Sequence, residues 1–533
     1  MSNCVYLNDF SGSSDWERLA TAAEYLRGNP GSRLIIPAGV YDVTTPLAKQ
    51  TMEDVIDGKY GRYPEKKMFR PDFPYSKGFD LSGIQGASIE ADGALFLVDG
   101  FMEPVSITNS QDIRISGLII DHKRKPYSKG VIQDVVITDA EKQEGYIVVA
   151  YGPEYPLGDN YPMPRFVIFD EFASRFVGYG EYGIRGRERV DENTWKYYGH
   201  HFKTDYRGKE FYIWHTFHSR PAIRIENAKN VTLFNVTIHS QPGMGIVAHR
   251  SENLEFNGLR VVPSAGEHMS TNTDATHITS CKGYLRYISC EFEGQGDDSL
   301  NVHTYYHTIL SPVGSRCTLR VDAPTGTHSQ TLDYPDEGDI LELTAKGTLA
   351  VTELYRVVKS TPDFTNMTCD VELDRPLPEN CERVMFANGT RCPELFFKNC
   401  FLHNHIARGV LIKTKKATIE HNTFIDLVGT AIVVAAEEWW YEGLCSTENI
   451  VIRGNRILNC ARTGAMRANG SGGICVMVSC DDPSVQTHKN VVIEDNIIDC
   501  HHSEYGIYVS NTEHLTIARN SVVSAESQPV HIK

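Results

Sequence analysis

The feature that most constrains this chain is a short apolar pattern that returns along its length. Val231-Thr-Leu233, Leu254-Glu-Phe256, Leu285-Arg-Tyr287, Ala417-Thr-Ile419, Ile450-Val-Ile452, Val491-Val-Ile493 and Leu515-Thr-Ile517 share one form. An asparagine stands before or after these triplets, at Asn230, Asn253, Asn399, Asn422, Asn455, Asn496 and Asn520. A strand alternates its faces every two residues, so each triplet sends two side chains inward and one outward. One such unit cannot bury its apolar face alone, whereas stacked copies can. Asparagine suits the turns between them because it tolerates left-handed backbone. A second series leads each coil, with Ile223, Ile246, Ile278 and Val302 as comparable positions, and it continues through Val410-Leu-Ile412, Ala431-Ile-Val-Val-Ala435, Ile474-Cys-Val-Met-Val478 and Ile507-Tyr-Val509. The pattern predicts an all-β parallel solenoid.

The rhythm is broken in two places. Asp15–Leu26 reads as an amphipathic helix with Trp16, Leu19, Ala20, Ala23 and Leu26 on one side and Ser14 or Asp15 as its cap. It precedes a strand, a Pro-Ala-Gly turn and a second strand over Arg33–Val43. This opening resembles that of right-handed parallel β-helix proteins, in which a helix covers the open end. Residues 1–130 are therefore taken as the cap and first coils. From 131 to 220 the chain turns aromatic and turn-rich, as an inserted β subdomain would. Central coils occupy 221–303, a second insertion that reads as a small β-barrel occupies 304–390, and the last coils fill 391–533.

Composition narrows the function. With 52 Lys+Arg against 68 Asp+Glu, the formal charge is −16, which disfavours nucleic acid, anionic membranes and polyanionic polysaccharides and suits a neutral sugar. No stretch approaches the ~20 apolar residues of a membrane span. The start, Met1-Ser-Asn-Cys-Val-Tyr6, is not a signal peptide. It points to a cytoplasmic protein as written, or to a secreted or periplasmic one if a leader has been removed. Several of the 13 cysteines recur in one context (Cys281, Cys290, Cys400, Cys460, Cys480, Cys500), which predicts a ladder of small buried side chains rather than a disulfide framework. There is no C-x-x-C pair, so no zinc site is expected, and no cofactor is required.

The chemistry concentrates between Ser270 and His303. Asp274, in N-T-D, stands ahead of one leading strand, and Asp297 and Asp298, in G-D-D, stand ahead of the next. The offset of 24 residues from Asp274 to Asp298 also carries Thr276 onto Leu300 and Ile278 onto Val302, which is one turn of the solenoid. Neighbouring parallel strands put Asp298 about 4.8 Å from the level of Asp274, with Asp297 offset sideways. A single aspartate in such a turn is an ordinary turn residue. Three on adjacent coils are what an acid/base hydrolase needs, a pair to hold and deprotonate water and one acid for the leaving group. Arg408, ahead of the first strand after the barrel, is expected beside them, with Lys413 a weaker candidate. His303 and His277 either hydrogen-bond into the site or pack beside it. The run Glu437-Glu438-Trp439-Trp440-Tyr441-Glu442 offers a sugar-stacking platform, with Trp440, Glu442 and Glu437 as its substrate-binding residues.

N-T-D followed by G-D-D on a β-helix resembles the polygalacturonase clan of inverting glycoside hydrolases. The fuller run G-D-D-S-L-N-V-H, the insertion after it, the resumed A-R-G-V-L-I-K-T and the later W-Y-E-G are more similar to glycoside hydrolase family 110. These are α-1,3-galactosidases that remove terminal galactose from blood-group-B-type and linear α-galactosyl glycans. The chain departs from the polygalacturonases in lacking G-H-G and in having Arg408-Gly-Val-Leu-Ile-Lys413 where they have R-I-K, which argues against a pectic substrate. The resemblance implies that Asp297 is the acid and that Asp274 and Asp298 activate water. Two alternatives stay open, a Ca²⁺-dependent polysaccharide lyase using Arg408 or Lys413 as base, and a non-catalytic glycan-binding β-helix.

Overall fold

The structure is a computed structural model that describes the chain except for residues 1–2, 143, 182–183, 323–327, 329, 439–440, 444–445, 463–471, 481 and 483. Three parallel sheets run its length, and a typical coil gives one strand to each. The first sheet runs from Cys4–Tyr6 to Thr512–Ala518 and the second from Gly39–Val43 to Ser521–Ser524. The third begins at Lys77–Asp80 and ends at Val530–Ile532. The alternation read from the sequence fills the interior. Val231 and Leu233 stack on Leu254 and Phe256, then on Leu285 and Tyr287, Leu395 and Phe397, and Ala417 and Ile419, all buried. This is the expected all-β parallel β-helix.

The helix Asp15–Gly28 closes one end, its Ser14 hydroxyl accepting from Glu17 N. Its inner face is Leu19, Ala22, Ala23 and Leu26, whereas Ala20 is only half-buried. The i, i+3, i+4, i+7 spacing from Leu19 selects Ala22 over Ala20. Ser32–Ile35 and Gly39–Val43 lie in different sheets, so the Pro-Ala-Gly turn is a corner of the coil. No helix among the described residues is long and apolar enough to cross a membrane.

The register of the third sheet corrects one expected alignment. Ile223 pairs with Ile246, but Ile246 pairs with Thr276, not Ile278, and Thr276 pairs with Leu300. A slip of two keeps every side chain on its own face, so alternation alone does not reveal it.

Two antiparallel bodies leave the coil. Seven strands from Tyr127–Asp139 to Glu210–Trp214 form one sheet around Phe166, Ile168, Tyr197 and Phe211. The other starts where Leu300–Val313 runs out of the third sheet. This strand pairs with Arg316–Arg320 and Val384–Asn388, and Thr368–Leu373, Val351–Asp363 and Ile340–Ala345 complete a closed ring.

The asparagines divide into two kinds. Asn230, Asn253 and Asn399 have positive φ, as expected of turn residues. Asn422, Asn455, Asn496 and Asn520 do not; their side chains form a ladder. Asn455 Oδ1 accepts from Asn422 N (3.1 Å) and Nδ2 (2.9 Å), while Asn455 N and Nδ2 donate to Asn496 Oδ1, which repeats the pattern toward Asn520. Left-handed backbone falls instead on neighbours such as His421, Gly454, Asp495 and Arg519. Asn455→Ala leaves buried amide donors of Asn422 without acceptors and should cost about 2–3 kcal/mol, read as a lower urea midpoint with an unchanged far-UV spectrum. The described cysteines are unbridged, and Cys281, Cys290, Cys400, Cys460 and Cys500 are buried, while Cys480 is only partly so. They do not form a single ladder: Cys290 and Cys400 precede the paired Glu291 and Phe401 of the second sheet, whereas Cys281 precedes Lys282 of the first.

Candidate active site

Backbone hydrogen bonds set the floor of the site. Gly245 N donates to Asp274 O (2.9 Å), Ala275 N to Asp298 O (2.9 Å) and Ser299 N to Arg408 O (3.2 Å). Residues 274, 298 and 408 thus fall at one point of three successive coils, just ahead of the leading strands. Gly296 allows the turn to close, because a Cβ there would lie 2.3 Å from Asn272 O and 2.5 Å from the Trp214 ring.

Each aspartate has its own partner. Arg408 grips Asp298 with both arms of its fork, Nε to Oδ1 at 2.9 Å and Nη2 to Oδ2 at 2.8 Å, and its backbone N–H adds a third bond at 3.0 Å. Burial pushes the Asp298 carboxyl up to about 8 against the pull of Arg408, and the charges of Asp297 and Asp274 add to the push. Asp274 meets His277 Nδ1 at 2.5 Å through Oδ2. Burial, then the charges of Asp297 and Glu442, raise Asp274 well above the usual carboxylate range. Asp297 is the accessible member, its side chain 24% exposed against 7% for Asp274 and 1% for Asp298. One Asp297 oxygen lies 3.4 Å from Arg165 Nη1, which also donates to Gly296 O at 2.6 Å. The Arg165 guanidinium sits over Trp214 and Phe217, 4.9 and 4.3 Å from their ring centres.

A second layer lies deeper. Lys413, fully buried, bridges Glu437 Oε1 at 2.8 Å and Glu442 Oε2 at 2.6 Å. Asn301 Nδ2 also donates to Glu442, at 3.2 Å. Glu442 reaches this place because Glu442–Gly443 pairs antiparallel with Thr304 and Tyr305, where the Leu300–Val313 strand leaves the coil. Burial favours the neutral form of Glu442, but Lys413 and then His303, His328 and His277 hold it well below the carboxylate range.

The donor atoms of His277, His303, His328 and Glu442 lie within 4.8 Å of one another, a grouping of the size that holds a metal ion. Glu442 Oε2 is taken by the Lys413 ammonium, while Oε1 lies 3.7 Å from His328 Nδ1, and His277 and His303 face each other, Nε2 to Nε2, at 2.9 Å. A metal bound through both of those Nε2 atoms would have to displace the contact between them.

The structure thus brings together Asp274, Asp297, Asp298, Arg408, His277, His303, Glu437 and Glu442. Trp440 lies outside the described residues. Sequence reasoning missed Arg165 and His328, which come from the two insertions where no repeat marks a facing side chain, and it rated Lys413 low. Opposed charges at Lys413, Glu437 and Glu442 were the available signal for that lysine.

Comparison with known proteins bears on what this site belongs to. α-1,3-Galactosidase A of Bacteroides fragilis is 24% identical over 475 residues, covering 85% of this chain and 76% of that protein. α-1,3-Galactosidase B of Bacteroides thetaiotaomicron is 22% identical over 560 residues, covering 96% and 84%. The family model for glycosyl hydrolases family 28 matches residues 214–317, the stretch that carries all three aspartates. The chain is a glycoside hydrolase. The resemblance to the α-1,3-galactosidases read from the sequence is borne out by these relatives. A second model, the right handed beta helix region, matches residues 384–522 of the hydrolase and gives the hand of the coil. Solved structures similar to the hydrolase include the mannuronan C-5 epimerase AlgE4 A-module of Azotobacter vinelandii, 11% identical with a TM-score of 0.43 over 99% of both chains. The family 28 exopolygalacturonase of Yersinia enterocolitica is 12% identical with a TM-score of 0.32, over 100% of this chain and 77% of that one.

Proposed function

We propose that the hydrolase removes terminal α-1,3-linked galactose from blood-group-B-type or linear α-galactosyl glycans, acting from the chain end with inversion at the anomeric carbon. The observation that carries the reading is the division among the three aspartates, one open to solvent and two buried behind it with fixed partners. Asp297 protonates the glycosidic oxygen as the C1–O bond breaks. Asp274 and Asp298 hold a water on the opposite face and take its proton as its oxygen attacks C1. Inversion requires acid and base carboxyls ~6.5–9.5 Å apart, with the water between them.

A neutral sugar is favoured because the cations a uronate would need are engaged elsewhere, Arg408 on Asp298 and Lys413 between Glu437 and Glu442. The same engagement disfavours Arg408 or Lys413 as the base of a lyase. The galactose assignment draws on the names of the relatives. It is tested by proton NMR of Gal-α-1,3-Gal and of the B trisaccharide during early turnover. The expected first product is β-galactose; α-galactose would make the enzyme retaining, and no galactose from either glycan would remove the substrate assignment.

A further inference from the structure

The histidines behind Asp274 form a chain whose hydrogen-bond directions follow from its last member. The Thr304 carbonyl can only accept, and it lies 2.6 Å from His303 Nδ1, so that nitrogen carries a hydrogen. A neutral imidazole that donates from Nδ1 accepts at Nε2. His303 Nε2 faces His277 Nε2 at 2.9 Å, so His277 is the donor there and its Nδ1 is left as an acceptor. The partner of that Nδ1 is Asp274 Oδ2, at 2.5 Å. Two acceptors do not bond, so the carboxyl supplies the proton.

The other ways to satisfy the chain put a second proton on His303 or on His277. Burial opposes an imidazolium at His303, which is 1% exposed and held well below the usual imidazole range. The surroundings of His277 oppose one as well. The ring is 1% exposed and lies 4.5 Å from the His328 ring, with Lys413 and Arg408 among the charges around it and Glu442 and Asp297 on the other side of the balance. Asp274 itself is the acid in hydrogen-bond contact with His277, and Glu442, which also favours a cation there, is already bonded to Lys413. Burial holds His277 down at about 4 and lifts both Asp274 and Asp298, so the two carboxyls are told apart by geometry: Asp298 accepts three N–H bonds from Arg408, which favour its carboxylate, whereas Asp274 faces an acceptor nitrogen.

We propose that His303 and His277 are positioning residues that keep a proton on Asp274 Oδ2, so that Asp274 orients the attacking water through its other oxygen and Asp298 alone takes the water's proton. This rests on the hydrolase reading above and divides the work of its two inner carboxyls. In the reaction the water gives one proton to Asp298 as its oxygen bonds C1, Asp297 gives its proton to the departing oxygen, and the Asp274 proton stays in place.

Neutron diffraction from crystals of the parent protein grown in heavy water tests the chain without any substrate. Deuterium is expected on Asp274 Oδ2, His277 Nε2 and His303 Nδ1. Deuterium on His277 Nδ1 beside a bare Asp274 carboxylate, or a metal ion between His277 and His303, would overturn the proposal. Kinetics supply the second arm. The amide of Asp274→Asn donates to the same Nδ1 and still offers an oxygen to water, so kcat should fall only about tenfold with KM little changed, against about 10³-fold or more for Asp298→Asn. Equal losses would also overturn it. Should the parent release no sugar, the functional reading fails, and the deuterium positions still decide the chain.

Discussion

Replacing Asp297, the proposed general acid, by asparagine is expected to lower kcat on the proposed α-1,3-galactoside substrate by about 10³-fold while leaving KM within a few fold, since a positioned general acid contributes about 10²–10⁴-fold. The amide matches the carboxyl in shape and can keep a contact to Arg165, so the change removes the transferable proton with little else. The leaving group provides the control. A 4-nitrophenyl α-galactoside departs without protonation, so the variant should lose far less on that substrate. Equal losses on the two substrates would show that Asp297 serves the water or the sugar ring instead.

The second large effect is on stability. Lys413→Met should lower the unfolding free energy by about 3–5 kcal/mol, because it leaves two carboxylates in the interior without their cation. Lys413 is fully buried between Glu437 and Glu442. Thermal unfolding measures the loss, and Lys413→Met combined with Glu442→Gln should recover part of it. The folded Glu442 pKa lies below its unfolded value, so its contribution is complete at neutral pH and is lost only as pH falls below about 4.3. The destabilisation should therefore be largest near neutrality and shrink on acidification. A loss that did not vary with pH would assign the effect to packing of the lysine stem.

What could be read from the sequence follows the periodicity. Asp274 and Asp298 are separated by one coil, and the pairing of Thr276 with Leu300 stacks them. Arg408 was legible for the same reason, since it leads the next coil of the sheet. Where the repeat lapses, so does foresight. Arg165 is 132 positions from Asp297 and reaches it only because an antiparallel sheet folds back over the coil, a contact no local pattern records. Ile246 was matched to Ile278 rather than Thr276 because a two-residue slip conserves facing. The asparagines of the last coils were read as turn residues because the ladder depends on amides meeting 33 and 41 residues along the chain. Glu437 and Glu442 could be named from their unusual setting, but that they clasp Lys413 required the strand that carries Glu442 back beside Thr304 and Tyr305.

That returning strand has a consequence for the order in which the protein matures. During synthesis Asp274, Asp297 and Asp298 leave the ribosome more than a hundred residues before Arg408, Lys413 and Glu442. Until the later coils dock, the three acids stand together without the guanidinium that clasps one of them, and His303 stands without the glutamate behind it. The coils up to Val302 can stack on one another as they emerge, each needing only its predecessor. The proposed catalytic centre cannot. It is completed by a segment that must reach backward across finished structure, so a nascent chain truncated before Arg408 should resist proteolysis over its early coils and yet be inert.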